Sequence, residues 1–163
     1  MSNMKCLKEV IKMISLLEDE KSEILSDESQ NCIVTYGKDE EIPESAYVFA
    51  DVRNAIENIN AKIRHLRHKL HHANATLKAP EFDMSIGECI IYMAQLNNEK
   101  ALLERMARRE LKSRNSTFRG EVDWTEICYS RDECRETLKE VNEKITSLQM
   151  AIDKANLTHE IKI

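Results

Sequence analysis

The residues best suited to chemistry in this sequence are its arginines. Arg105 and Arg109 stand four apart, as do Arg108 and Lys112. A helix through them presents cationic pairs on one face, and paired guanidinium forks grip a phosphate or carboxylate. Arg64 and Arg67 form a further pair three apart, inside a stretch (62–78) that holds five Lys/Arg and no acid. The competing reading is ordinary surface pairing, Glu104 with Arg108 and Arg105 with Glu110, each worth at most about 1 kcal/mol. Phe82, Phe118 and Trp124 adjoin the basic segments. Such rings stack on a base for about 1–3 kcal/mol, or else plug the ends of a helical bundle.

Other chemistries find less support. In "HLRHKLHH", His68 and His72 lie one helical turn apart, as two zinc ligands would, but no third ligand of the right type is near in sequence. The pattern therefore predicts no metal site. The chain lacks GxSxG, GxxxxGK[ST] and GxGxxG, and no pair of carboxylates stands in a recognisable catalytic frame. Five cysteines (Cys6, Cys32, Cys89, Cys128, Cys134) make no CxxC pair, and no signal-peptide pattern precedes them. Free thiols in a cytoplasmic, non-enzymatic protein without a cofactor are expected. Cys89 and Cys134 fall on apolar stripes and read as core filling.

Charge is unevenly distributed. The 163 residues carry a net charge of −5, with 33% charged and only 5% aromatic residues, 3 Gly and 2 Pro. Residues 1–61 are net −7, residues 62–78 net +5, and residues 99–119, which include Arg114 and Arg119, net +4. Long nucleic acid and anionic membrane surfaces are repelled by the acidic remainder, whereas a small anion held in a local pocket is not. No apolar run approaches the roughly 20 residues of a membrane span.

These residues must be positioned by helices, which the low Gly and Pro content favours. Leu7, Ile11, Ile14, Leu17 and Ile24 predict a helix from Ser2 to about Leu25. "CIVTY" (32–36) reads as a short strand, followed by an acidic loop. Val52, Ile56, Ile59, Ile63, Leu66, Leu70 and Ala73 step 4,3,4,3,4,3 within a helix from about Tyr47 to Ala73, and Cys134 to Ala155 repeats that heptad seam. Between them, Ser85 and Glu88 form a capping box that opens a third helix. This helix has two adjacent apolar stripes, hence two packing neighbours, and is expected to run to "SRNSTFRG", ending at Gly120. "EVDWTEICY" (121–129) reads as a strand pairing with 32–36, Ser130 and Glu133 repeat the cap, and the tail "NLTHEIKI" suggests a last strand. Asn74 and Asn156 read as helix C-terminal caps.

The expected architecture is mainly α: a single helical domain over 1–163, with long antiparallel hairpins or a four-helix bundle and a small two- or three-stranded β element at one end. The two narrow seams suggest a homo-oligomer, with the basic islands joined across an interface.

"EIPESAY", "INAKIRHLRHKLHHANAT", "FDMSIGECIIYMAQLN", "VDWTEICYSRDE" and "LQMAIDKANLT", in this order over about residues 10–160, resemble the septicolysin-like family of small bacterial and phage proteins. The helical layout and basic islands also resemble the Thoeris anti-defence sponge proteins of phages and prophages, oligomeric helical proteins that sequester signalling nucleotides without cleaving them. That second likeness implies a phosphorylated, cyclic-nucleotide-type ligand at an inter-subunit site. Arg105 and Arg109 would clamp phosphate, Arg64 and Arg67 would add charge, and Phe82 or Trp124 would stack. The alternative is an adaptor bundle whose partner is another protein.

Overall fold

The heptad step that singles out Val52 to Ala73 shapes α2 (Phe49–Thr76), where Ile56, Ile59, Ile63, Leu66 and Ala73 are buried. In the computed structural model, which describes residues 3–116 and 122–163, α2 packs against α1 (Leu7–Asn31). The two run antiparallel: Glu28 meets Arg53, Lys21 meets Asn60 and Glu18 meets Arg67, so positions rise along one helix as they fall along the other. Their shared core is Val10, Ile14, Ile59, Ile63 and Leu66, with Leu17, Leu70, Ile161 and Ile163 against it.

β1 (Met4–Cys6) leads into α1, and β4 (Glu160–Lys162) lies antiparallel to it, with Met4 opposite Lys162. The tail is thus a strand, as the sequence suggested. Its partner is the stretch expected to start the first helix, because Cys6, extended at φ −70°, ψ 156°, is the true N-cap.

α3 (Ile86–Arg108) opens on the predicted box: Glu88 N donates to Ser85 Oγ at 3.2 Å, and Ser85 N donates to Glu88 Oε2 at 2.7 Å. α4 (Arg131–Thr158) starts behind Ser130, whose Oγ accepts from Glu133 N at 3.3 Å. Cys134, Val141, Leu148, Ile152 and Ala155 of its seam are buried. Cys89 and Leu96 of α3 share a core with Val141, Leu148, Ala151 and Ile152 of α4. The fold is mainly helical, with two small antiparallel two-stranded sheets among the described residues. The chain divides into two compact units, Met1–Leu77 with Ala155–Ile163 (unit 1) and Lys78–Lys154 (unit 2).

Five expectations are corrected. The first helix does not fade at Leu25 but continues to Asn31, where Ser29 Oγ and Asn31 Nδ2 bond the carbonyls of Ser26 and Asp27 and close the last turn. Residues 32–36 are irregular and exposed and join neither sheet; β-branched composition reflects a fit to neighbouring strands rather than an intrinsic backbone preference. The strand at 121–129 pairs instead with its neighbour in sequence: β2 (Lys112–Ser116) and β3 (Val122–Glu126) form a hairpin with Lys112 opposite Glu126. That pairing ends α3 at Arg108 rather than Gly120, and its short connection closes at far less entropic cost than a bridge to 32–36. Finally, Asn74 and Asn156 lie inside helices, not at their caps.

Candidate functional site

Arg64 and Arg67 stand on the exposed side of α2, lining a groove of about 440 Å³ with Glu18, Lys21 and Asn60. Neither guanidinium is unpaired. Arg64 Nη2 lies 2.8 Å from Glu57 Oε1, and Arg67 pairs with Glu18 of α1. The acid-free appearance of this stretch was local only, because its carboxylates come from two helical turns back and from the neighbouring helix.

Arg105 lies in the last turn of α3, but Arg109 is its C-cap, extended at φ −62°, ψ 143°. The four-residue spacing therefore does not place Arg105 and Arg109 on one helical face, and Lys112, on β2, likewise leaves Arg108 without its helical partner. Among the described residues Arg105, Arg108 and Arg109 make no ion pair, so the expected pairs with Glu104 and Glu110 are not formed either. The carbonyls at this helix end are taken by other groups: Tyr129 Oη donates to Met106 O at 2.9 Å, and Arg131 Nη1 to Arg109 O at 3.4 Å. The base of the hairpin is joined here through Ile127 N to Leu111 O at 3.1 Å.

Trp124, on this hairpin, is 60% exposed. Lys112 Nζ sits 5.1 Å from its ring centroid, a cation–π distance, and also 3.9 Å from Glu126. Phe82 lies before the other end of α3, about 34 Å away along a 23-residue helix. It is half-buried against the unit 2 core and lines a cleft of about 500 Å³ with Tyr92, Glu140, Glu143, Lys144 and Ser147. Phe118 and Arg119 lie outside the described residues. Of the six predicted ligand residues, then, Arg105, Arg109 and Trp124 share one end of unit 2, Arg64 and Arg67 share a groove of unit 1, and Phe82 stands apart at the other end of α3.

His68 and His72 line a cleft of about 470 Å³ with Lys69, Glu160 and Lys162, and Lys69 Nζ donates to Lys162 O at 2.7 Å. Among the described residues no three His, Cys, Asp or Glu are grouped to hold a metal. Burial pushes the Cys89 thiol up, away from the reactive thiolate.

A cavity of about 670 Å³ lies between the end of α1 and the start of α2, walled by Ile24, Val34, Val48 and Val52 with Asp27, Glu44 and Asp51. Beside it the largely buried Glu28 carboxylate accepts from Tyr47 Oη at 2.8 Å and pairs with Arg53, which also covers the Phe49 ring at 5.3 Å. The hydrogen bond to Glu28 raises the Tyr47 pKa. No spacing in the sequence announces this cluster, because its three members come from two elements and a loop.

The outward side of α3 is the feature that the sequence only half announced. Ile86, Cys89 and Leu96 are buried, whereas Ile90 (41%), Ile91 (61%) and Leu102 (48%) are exposed, together with Ala94, Asn98 and Ala101. At about 100° per residue the exposed set centres on the side of the helix opposite the buried one. Of the two packing neighbours expected for this helix, α4 covers the buried side.

No family model matches the chain, and no curated protein does. A crystal structure of a functionally unknown conserved protein from Corynebacterium diphtheriae is similar in fold, with a TM-score of 0.73 at 17% identity, covering 98% of this chain and 100% of that one.

Proposed function

We propose that the protein is a non-catalytic interaction module that binds a protein partner through the outward face of α3. The carrying observation is that Ile90, Ile91, Ala94, Ala101 and Leu102 stand exposed on one side of a well-capped helix, in two apolar groups with Asn98 between them. Exposed apolar surface of this kind marks recognition sites. A photo-crosslinking residue placed at Leu102 in the protein's native cells should capture a protein, identified by its peptides, and Ile91→Asp should abolish the adduct. Labelling no stronger than from Glu136 on α4 would sink the reading.

A second reading, a small phosphorylated ligand of the cyclic-nucleotide type, is supported by Arg105, Arg108 and Arg109 standing without ion pairs among the described residues at the end of unit 2 that carries Trp124. A thermal-shift panel of linear and cyclic nucleotides tests it. Ligand at 100 times its dissociation constant adds about 2.7 kcal/mol of stability, and Arg105→Glu with Arg109→Glu should erase the shift. A panel without any shift would retire this reading.

A further inference from the structure

We infer that the partner of the α3 face is the same face of a second copy, packed antiparallel with Asn98 at the two-fold axis. The inference rests on the interaction-module reading and adds the identity of the partner.

Charge and shape along the helix carry it. α3 has an acid, Glu88, in its first turn and two cations, Arg105 and Arg108, in its last. Parallel self-pairing sets like charges against each other at both ends. Antiparallel pairing sets unlike charges together and opposes the helix dipoles favourably. With Asn98 facing its own copy, Glu88 falls opposite Arg108, Ile90 opposite Met106, Ile91 opposite the aliphatic stem of Arg105, and Ala94 opposite Leu102, a small residue facing a large one. Slipping one turn in one direction puts Glu88 opposite Glu104. Slipping the other way carries Ile90 and Ile91 beyond Arg108, the last residue of the facing helix. The register is thus set by charge at the ends and by a polar residue at the centre, the device that fixes alignment in paired helices. Glu88 keeps its capping bonds to Ser85 in this arrangement, since a carboxylate has about four acceptor positions.

Sedimentation of the full chain tests this, loaded at about 100 μM so that even a micromolar dimer is populated. The expected mass is twice 18.9 kDa, falling by half in Ile91→Asp with Leu102→Asp while helicity by circular dichroism is unchanged. Glu88→Arg alone and Arg108→Glu alone should each be monomeric, and mixing the two should restore a dimer, because each mixed pair regains both opposite-charge contacts. A wild-type monomer at this concentration overturns the inference, as does a dimer that survives the double Asp substitution, or single-charge variants that fail to complement. If the Leu102 crosslinker captures only a different protein, self-pairing fails while the interaction-module reading stands. If it captures nothing, both fail.

Discussion

Helices α2 and α3 make an instructive pair. Both carry apolar residues at three- and four-residue steps, and both exceed twenty residues. In α2 the repeat is a single seam, and α1 covers it: Ile59, Ile63 and Leu66 lie in the unit 1 core. In α3 the apolar residues spread around the helix, so that α4 covers Cys89 and Leu96 while Ile91 and Leu102 stay exposed. A narrow seam is completed by one neighbour within the chain, whereas a wide apolar surface asks for two. The regular heptad of α2 is therefore covered within the chain, whereas one side of the less regular α3 is left exposed.

The comparison is broken most directly by truncation. Leu66→Ala, in the α2 seam, should lose about 2–5 kcal/mol in urea denaturation, as buried leucines do, while Leu102→Ala on α3 should change monomer stability by no more than about 0.5 kcal/mol. Comparable losses at the two sites would mean that the α3 face is covered within the chain. Ser85→Ala should cost about 1 kcal/mol by removing the cap of α3. α1 begins on Cys6 without a Ser, Thr, Asp or Asn at its cap, so Cys6→Ala should cost measurably less in the same assay.

Acid should act on both units alike. Hydrogen bonds from the Cys6 backbone N–H to Glu9, and from the Ser85 N–H and hydroxyl to Glu88, hold both carboxyls below their usual range. A lowered folded pKa stabilises above the unfolded value, and this contribution disappears as pH falls through the folded one. Melting temperatures followed downward from neutrality should drop in that window, and Glu88→Gln should flatten the drop. Tyr47 has the opposite sign and belongs to unit 1 alone: its raised pKa contributes below the ordinary phenol value and is lost as pH rises through the folded one. Tyr47→Phe should therefore remove an alkaline sensitivity from unit 1, read by hydrogen exchange. A small effect is also expected at Arg67→Ala, where an exposed pair with Glu18 contributes about 0–1 kcal/mol and fades with added salt.

The helical elements were legible in the sequence because their signals are local: the seams of α2 and α4, the Ser85–Glu88 box and the Ser130 cap each lie within a few turns. What misled was equally physical. "CIVTY" has strand composition but joins no sheet, and the strand that carries Trp124 found its partner ten residues upstream. For the site, residue types were legible and their surroundings were not. Arg64 and Arg67 looked unopposed because Glu18 approaches from another helix, and Arg105 and Arg109 looked paired because the spacing alone does not disclose that the helix stops at Arg108. The Tyr47, Glu28 and Arg53 cluster, made by tertiary contact, left no trace in spacing.

The pairing of β1 with β4 has a consequence for the order in which the molecule is made. Its two strands lie about 150 residues apart along the chain, so closing this sheet requires ordering one of the longest loops the sequence allows, a step that comes late. Unit 2, by contrast, is one unbroken stretch, Lys78–Lys154. On a translating ribosome unit 2 has all of its residues in hand before residues 155–163 emerge, while the earlier-synthesised α1 and α2 wait for that segment to finish their core with Ile161 and Ile163. The half of the molecule synthesised first is thus the half completed last.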